Sequence, residues 1–429
     1  MTPETPRTVT VLPLGLGRLA WLAGIWLVLL APRSASAAAA ECTACHQPSV
    51  RGAHATLSCV ACHGRGGDLR RVSAAPDATG CTWCHPGTAA IFQGPMAHRK
   101  AEQAFADKAF AGRDGHFFEQ SCTGCHVKDC LDCHGPDGHS IARPSMEGCH
   151  SCHRGYFVGA DYLGRAPRED NLRYQRGPAF DGERYLKMRP DVHAEAGLAC
   201  GACHGMASLA AGQRTAKTCT DCHQPSPTVL EHRIGGHLGA LECWACHSAW
   251  TAQEYGTFFV RVGGNQVGEH FSVKRSPGAE YLRSAYLRRQ DAPPLGRDAA
   301  GKVSPIRPQF IAYTSDLRAP GGEENVLLSA QWRAFFPHTV RRGTVLCEGC
   351  HDAPRRFLVE PKAARIYRPA DDGLNLESFW DQQGQTLVNG RFLSPEEVAR
   401  LRARSPAYRR GTIEKWQKFV QPVENSSKR

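Results

Sequence analysis

Each of the twenty cysteines in this 429-residue chain falls inside a C-x-x-C-H pentapeptide, and none is left over. The ten motifs begin at Cys42, Cys59, Cys81, Cys122, Cys130, Cys149, Cys200, Cys219, Cys243 and Cys347. That regularity removes the usual uses of a cysteine-rich sequence: a disulfide scaffold or a lone nucleophilic thiol needs cysteines outside such a pattern. Two C-x-x-C knuckles can hold a structural zinc ion, but zinc does not explain a histidine after every second cysteine.

In C-x-x-C-H the two thiols sit one short turn apart, where they can add to the two vinyl groups of one haem. The next residue, His, then reaches the iron from the same side. The sequence therefore predicts ten haem c groups. Their covalent anchors are Cys42 and Cys45, Cys59 and Cys62, Cys81 and Cys84, Cys122 and Cys125, and Cys130 and Cys133. The second five are Cys149 and Cys152, Cys200 and Cys203, Cys219 and Cys222, Cys243 and Cys246, and Cys347 and Cys350. The proximal iron ligands are His46, His63, His85, His126, His134, His153, His204, His223, His247 and His351.

The chain has 20 His, so ten lie outside the motifs: His54, His98, His116, His139, His150, His193, His232, His237, His270 and His338. Ten irons and ten spare imidazoles are the stoichiometry of two-His coordination throughout, His being the commonest metal ligand. His54, His116, His193, His237 and His338 precede the first Cys of a motif by 5, 6, 7, 6 and 9 residues. A His there points away from its own haem and is placed to ligate a neighbouring one, as is His150 inside Cys149–His153. Such an iron has no open position for a substrate; it stores and passes electrons. The methionines after residue 37 (Met96, Met146, Met188, Met206) are not needed as ligands if the His count closes.

The N-terminus reads as an export signal over residues 1–37. Arg7 and Arg18 supply positive charge, Leu19 to Ala31 is unbroken apolar sequence, and Ala35-Ser36-Ala37 is a small-x-small cleavage site. The apolar run is short for a membrane span, and Glu41 before Cys42 argues against a lipoprotein. The mature chain is expected to have no membrane span. The expected location is the periplasm, extending to association with the outer membrane or the cell exterior. The formal charge of +11 is no nucleic-acid signature here, because every haem adds two propionates that pair well with Arg.

Nine motifs lie between Cys42 and His247, with motif starts 17, 22, 41, 8, 19, 51, 19 and 24 residues apart; the tenth follows after 104. Residues 38–251 are expected to form a nine-haem electron-transfer domain of short α-helices and irregular loops wrapped around the haems, with little room for a sheet. Only Val127, Lys128 and Asp129 separate two motifs, and three residues span roughly 10 Å, so those two haems must be close. Residues 252–429 are expected to form a larger, mixed but mainly α C-terminal domain carrying the tenth haem. Phe258, Phe259, Tyr281, Tyr286, Phe310, Tyr313, Trp332, Phe335, Phe336 and Trp380 can supply its core. Ser394-Pro395-Glu396-Glu397 is a helix start with a capping box, and Ile413 to Val420 a further helix with Ile413, Trp416 and Val420 on one face.

Over residues 42 to 247 the array resembles the multihaem cytochromes c of bacteria that respire on metals, sulfur or nitrogen compounds. In motif number it is similar to the decahaem periplasmic conduit of metal-reducing bacteria. Besides the motifs, phrases such as Pro190-Asp-Val-His193 before Cys200-Gly-Ala-Cys-His204 carry the likeness. The resemblance implies an electron carrier of anaerobic or extracellular respiration. Its redox partners would be a quinol-linked membrane donor and a terminal reductase or outer-membrane conduit, with an outer-membrane barrel as a further partner. The C-terminal third departs from that pattern, since 99 residues separate His247 from Cys347.

The layout also looks like the octahaem reductase and hydroxylamine oxidoreductase group, in which one haem is open for catalysis. That likeness implies a reductase for a small nitrogen or sulfur compound or oxyanion. The Cys347 haem is the first place for such chemistry, with Arg341, Arg342, Arg355 and Arg356 to steer an anion. No motif ends in Lys, so the variant motif of the pentahaem nitrite reductases is absent. A third reading makes the C-terminal region a module that docks the chain in a larger respiratory complex.

Overall fold

The structure is a computed structural model. It describes residues 50–52, 54–65, 68–72, 78–121, 126–135, 139–153, 162–163, 175–180, 183–187, 191–211, 216–262, 281–318, 320–343, 345–361, 386–403 and 406–426. The export segment 1–37, the first motif (Cys42, Cys45, His46), Cys122, Cys125, His270 and Trp380 lie outside these residues, and the side chain of His150 is not described. The chain divides into two compact units, residues 1–85 with 137–141, and residues 86–136 with 142–429. This division does not follow the boundary expected at 251/252. The strand Trp250–Val262 begins three residues after His247, so the ninth motif runs straight into the sheet.

In the first unit the short helix Cys59–His63 carries one motif, and the helix Ala78–Cys84 carries most of the next. Arg51–Gly52 pairs in parallel with Ser140–Ile141, tying the excursion 137–141 into this unit. Gly52 has φ +80°, and a Cβ there would lie 2.7 Å from the Ile141 carbonyl oxygen, so the close pairing requires glycine.

The second unit is built on a sheet. Val303–Leu317 is its central strand, flanked by antiparallel Val326–Ala334 and Leu295–Asp298 and by parallel Trp250–Val262. Tyr281–Asp291 extends it beyond Trp250–Val262, while Thr386–Leu387 and Gly390–Arg391 close its two other edges. The described residues of 250–334 are thus dominated by strand, in a region expected to be mixed or mainly α. The physical reason is packing: Phe258, Tyr313, Ile306 and Trp332 bury one face of the sheet, with Ile306 and Tyr313 wholly inaccessible. Pro308, which has no N–H for the ladder, sits at a shift in strand register. Short pairings also occur among the motifs (Gly64–Arg65 with Asp68–Val72, and Glu183–Lys187 between Tyr162–Leu163 and Gln175–Phe180) where no sheet was expected.

Two layers cover the sheet. The helices Lys100–Phe110 and Phe117–Ser121 place Phe105, Phe110, Phe117 and Phe118 against Phe259, Tyr281 and Ala312. Fully burying one such side chain contributes about 1.5–3 kcal/mol, so this contact fixes the chain that leads into the fourth motif. At the other end Ala245, inside the ninth motif, packs with Leu295, Val303, Phe357 and Val398, and Cys350 of the tenth motif joins them. The helix Pro395–Arg402 starts at the expected capping box, Ser394 and Glu397 each bonding the other's backbone N–H. The last helix runs Pro406–Ser426, longer than expected, and leaves Ile413, Trp416 and Val420 exposed. Among the described residues no helix is long and apolar enough to cross a membrane.

Candidate haem-ligand pairs

The eight described pentapeptides fold locally as single turns of helix. The N–H of His85, His134, His153, His204 and His223 donates to the carbonyl of its motif's first Cys at 2.8–3.0 Å. Closing that turn brings positions i, i+3 and i+4 to one face, so both thiols and the imidazole share a side.

Six motif histidines face a histidine from outside the motifs. Ring centres are 6.0 Å apart for His85 and His54 and 5.9 Å for His63 and His139. They are 5.9 Å apart for His223 and His193, 6.2 Å for His204 and His338, 6.1 Å for His247 and His232, and 6.3 Å for His351 and His237. A metal–imidazole bond of about 2.0 Å plus about 1.1 Å from nitrogen to ring centre, taken on both sides of one ion, gives about 6.2 Å. Aromatic stacking covers about 4.5–7 Å, so one pair alone would mean little. Six pairs within 0.4 Å of each other (5.9 to 6.3 Å), each joining a motif His to a non-motif His, do not arise from stacking preference.

The partners are exchanged between units of sequence. His54, upstream of the Cys59 motif, faces the next motif's His85; His193 faces His223, and His237 faces His351. His338, just upstream of Cys347, faces His204 of the Cys200 motif. His98 lies near His126, whose pKa is lowered by burial first, then by Arg99, with His98 adding to it. His116 is exposed, with Nδ1 3.4 Å from Glu119.

Second contacts orient these rings. Nδ1 lies 2.9 Å from the Ala142 carbonyl in His134, 3.2 Å from that of Ser226 in His232, 3.0 Å from that of Arg341 in His247 and 3.0 Å from that of Phe336 in His338. In His351 Nδ1 bonds to the Leu401 carbonyl. A carbonyl only accepts, so Nδ1 carries the proton and Nε2 is left as a bare donor of electrons, the state a metal needs. Burial reinforces this: it pushes the His338 pKa down to about 4, with His204 adding to it, and lowers His204 and His237 as well.

The surroundings fit a large apolar group carrying carboxylates. Leu57, Trp83, Leu198, Leu238 and Leu346 are 43–74% exposed, each inside or within two residues of a motif or a paired His. Bare apolar side chains beside four motifs and His237 are the surface a porphyrin plate would cover. The Nε2 of His126 is buried without a hydrogen-bond partner. Arg356 is 1% exposed, with Nη2 on the Ala245 carbonyl at 2.7 Å, while Nε and Nη1, on opposite sides of the guanidinium, are left as buried donors for an anionic group. Of the other guanidiniums read as anion-steering, Arg341 is held by Glu195 at 2.5 and 2.8 Å, while Arg342 and Arg355 are exposed. Among the described residues no group of three or more His, Cys, Asp or Glu is arranged around a common point.

Motifs also adjoin one another. The side chain of Cys149 meets that of Cys200, and the side chain of Cys219 meets that of Cys243. Burial raises Cys246 to about 11, with Cys350 adding to it. Comparison with protein-family models, curated proteins and solved structures returns no match.

Sequence reasoning named every ring in these pairs but not their pairing, nor the carbonyls and the one carboxylate that orient them. Asp191, within the quoted phrase before Cys200, was the one such group visible in advance.

Proposed function

We propose that this chain is an exported decahaem c-type cytochrome that carries electrons in anaerobic or extracellular respiration. The observation that carries the reading is the set of six facing histidine pairs at 5.9–6.3 Å. Bound haem supplies one-electron chemistry at each iron. The residues do the rest. The cysteine pairs would anchor each group, the motif His and its facing His would ligate its iron, and Arg356 would offer its buried donors to a propionate. The backbone carbonyls of Ser226, Phe336, Arg341 and Leu401 fix the imidazole protons on Nδ1.

A carrier needs neighbouring groups close together, because electron transfer falls steeply with distance. The contacts Cys149 with Cys200 and Cys219 with Cys243 meet that need. They favour a path that follows motif order through the sixth to seventh and the eighth to ninth positions. An open site at Cys347 fits less well, since His237 faces His351 across 6.3 Å. The carrier would take electrons from a quinol-linked membrane donor and pass them to a terminal reductase or an outer-membrane conduit.

The test is spectroscopic. The purified secreted protein is expected to carry ten covalent haems by pyridine haemochrome assay, with an all-low-spin ferric spectrum and no carbon monoxide binding when reduced. Far fewer haems, or several open irons, would overturn the reading.

A further inference from the structure

In four paired histidines, His232, His247, His338 and His351, Nδ1 bonds to a neutral backbone carbonyl. In His193 it bonds to a carboxylate. Asp191 Oδ1 lies 2.7 Å from His193 Nδ1 and accepts the His193 backbone N–H at 2.8 Å. Its Oδ2 accepts the Val340 N–H at 2.6 Å, and Asp191 is only 5% exposed. Both oxygens are therefore pinned, one to the imidazole and one to the strand end that follows His338. The His193 ring faces His223 across 5.9 Å.

A charged acceptor makes a hydrogen bond roughly twice as strong as a neutral one. It draws the Nδ1 proton towards itself and raises the basicity of the opposite ring nitrogen, the known effect of a carboxylate behind a metal-ligating histidine. A more basic axial ligand favours ferric over ferrous iron, and hydrogen bonding behind the ligand is one of the levers that set a haem's potential.

We propose that Asp191 is a positioning residue that acts through His193 to lower the reduction potential of the haem anchored at Cys219 and Cys222. This rests on the cytochrome reading above. Reduction there adds one electron to the iron; no bond breaks, and the proton stays between Nδ1 and Oδ1. The adjacent haems at Cys200 and Cys243 have ligands, His338 and His232, whose Nδ1 meets a carbonyl. The eighth position is then an uphill step within the array, where an electron rests least.

The experiment uses the full-length holoprotein. Spectroelectrochemical titration of Asp191→Asn is expected to raise one midpoint of the ten by about the 59 mV that matches a tenfold change in ferric-to-ferrous ratio for one electron. Asp191→Glu, which keeps the charge, is expected to recover more than half of that shift. In the wild-type ferric protein, electron paramagnetic resonance is expected to resolve one low-spin signal with the narrower g spread of an imidazolate-like ligand, lost in Asp191→Asn. A variant with ten haems and an unchanged titration overturns the proposal. An amide at 191 turns an N–H towards either Val340 or His193; if this variant binds fewer haems, the wild-type spectrum decides, and lack of the narrow signal overturns the proposal. A wild-type protein without covalent haem would instead remove the cytochrome reading itself.

Discussion

His247 and Arg341 hold each other by two hydrogen bonds: the imidazole Nδ1 meets the Arg341 carbonyl at 3.0 Å, and the Arg341 N–H donates to the His247 carbonyl at 2.8 Å. The same stretch serves two further pairs. Phe336 orients His338, which faces His204, and Val340 pins Asp191 behind His193, which faces His223. Thr339 anchors it to the sheet through its hydroxyl on the Trp250 carbonyl, 2.6 Å away. Six residues leaving the strand Val326–Ala334 thus orient rings belonging to three successive motifs. The β-rich C-terminal region, which carries one motif of its own, acts as the frame for others.

The first expectation follows for His338. Its φ of +54° is rare outside glycine, and its half-buried ring faces His204 across 6.2 Å, so replacement removes the imidazole opposite His204. His338→Ala is expected to open one haem in ten to carbon monoxide in the reduced protein, at the Cys200 motif and not the Cys347 motif that follows it in sequence. The check is the amplitude of the carbon monoxide difference spectrum, repeated with Cys200 and Cys203 also replaced by Ala. Added binding that persists in the second protein would place His338 elsewhere.

Gly390 tests the sheet edge. A Cβ at this position would strike the Arg297 carbonyl oxygen and the Leu387 side chain, and its pairing with Asp298 also positions Arg391 for Glu397. Forcing the strands apart costs about 1–3 kcal/mol. Gly390→Ala is expected to lower stability in guanidinium titration by that amount while ten haems remain bound.

What the sequence announced and what it concealed divide along physical lines. The ten motifs were legible because they have fixed spacing, and the capping box at Ser394 because it is local chemistry. Pairing was not, because His338 reaches His204 through the tertiary path of the sheet. The sheet itself was hidden by Pro305 and Pro308 in its central strand, residues that argue against a strand when read locally. Pro308 is tolerated where the register shifts, and Pro305 pairs with Leu295. Nor does spacing reveal that Trp416 and Val420 would stay exposed, since an apolar stripe on a helix reads as a buried face.

Phe117 joins the helical layer to the sheet. It is 3% exposed, stacks on Phe110 with centroids 3.6 Å apart, and meets Phe259 and Tyr281 edge-on at 4.9 and 5.2 Å. Phe117→Ala removes an aromatic from a closed cluster, a loss of about 3–5 kcal/mol. Hydrogen exchange is expected to rise across residues 117–121 and the facing strand Trp250–Val262, with the helix Pro395–Arg402 unchanged. Uniform exchange across all three would refute a local role.

Glu397 gives the pH dependence. Its carboxylate accepts from Arg391 at 2.6 and 2.8 Å, from the Ser394 N–H at 2.9 Å and from Arg297 at 2.8 Å. Those partners, Arg391 foremost, hold its pKa well below the ordinary carboxylate range. A folded-state pKa below the unfolded value, about 4.3, means the stabilisation is complete above that pH and fades as the pH falls towards the folded-state value. Charged hydrogen bonds screened by solvent contribute about 1–2 kcal/mol. Glu397→Gln is therefore expected to speed amide exchange in Glu397–Arg402 by about tenfold at pH 7, since about 1.4 kcal/mol is one decade. By pH 3 the gap to wild type should narrow. A gap that widens on acidification would mean that Glu397 is not held as its anion.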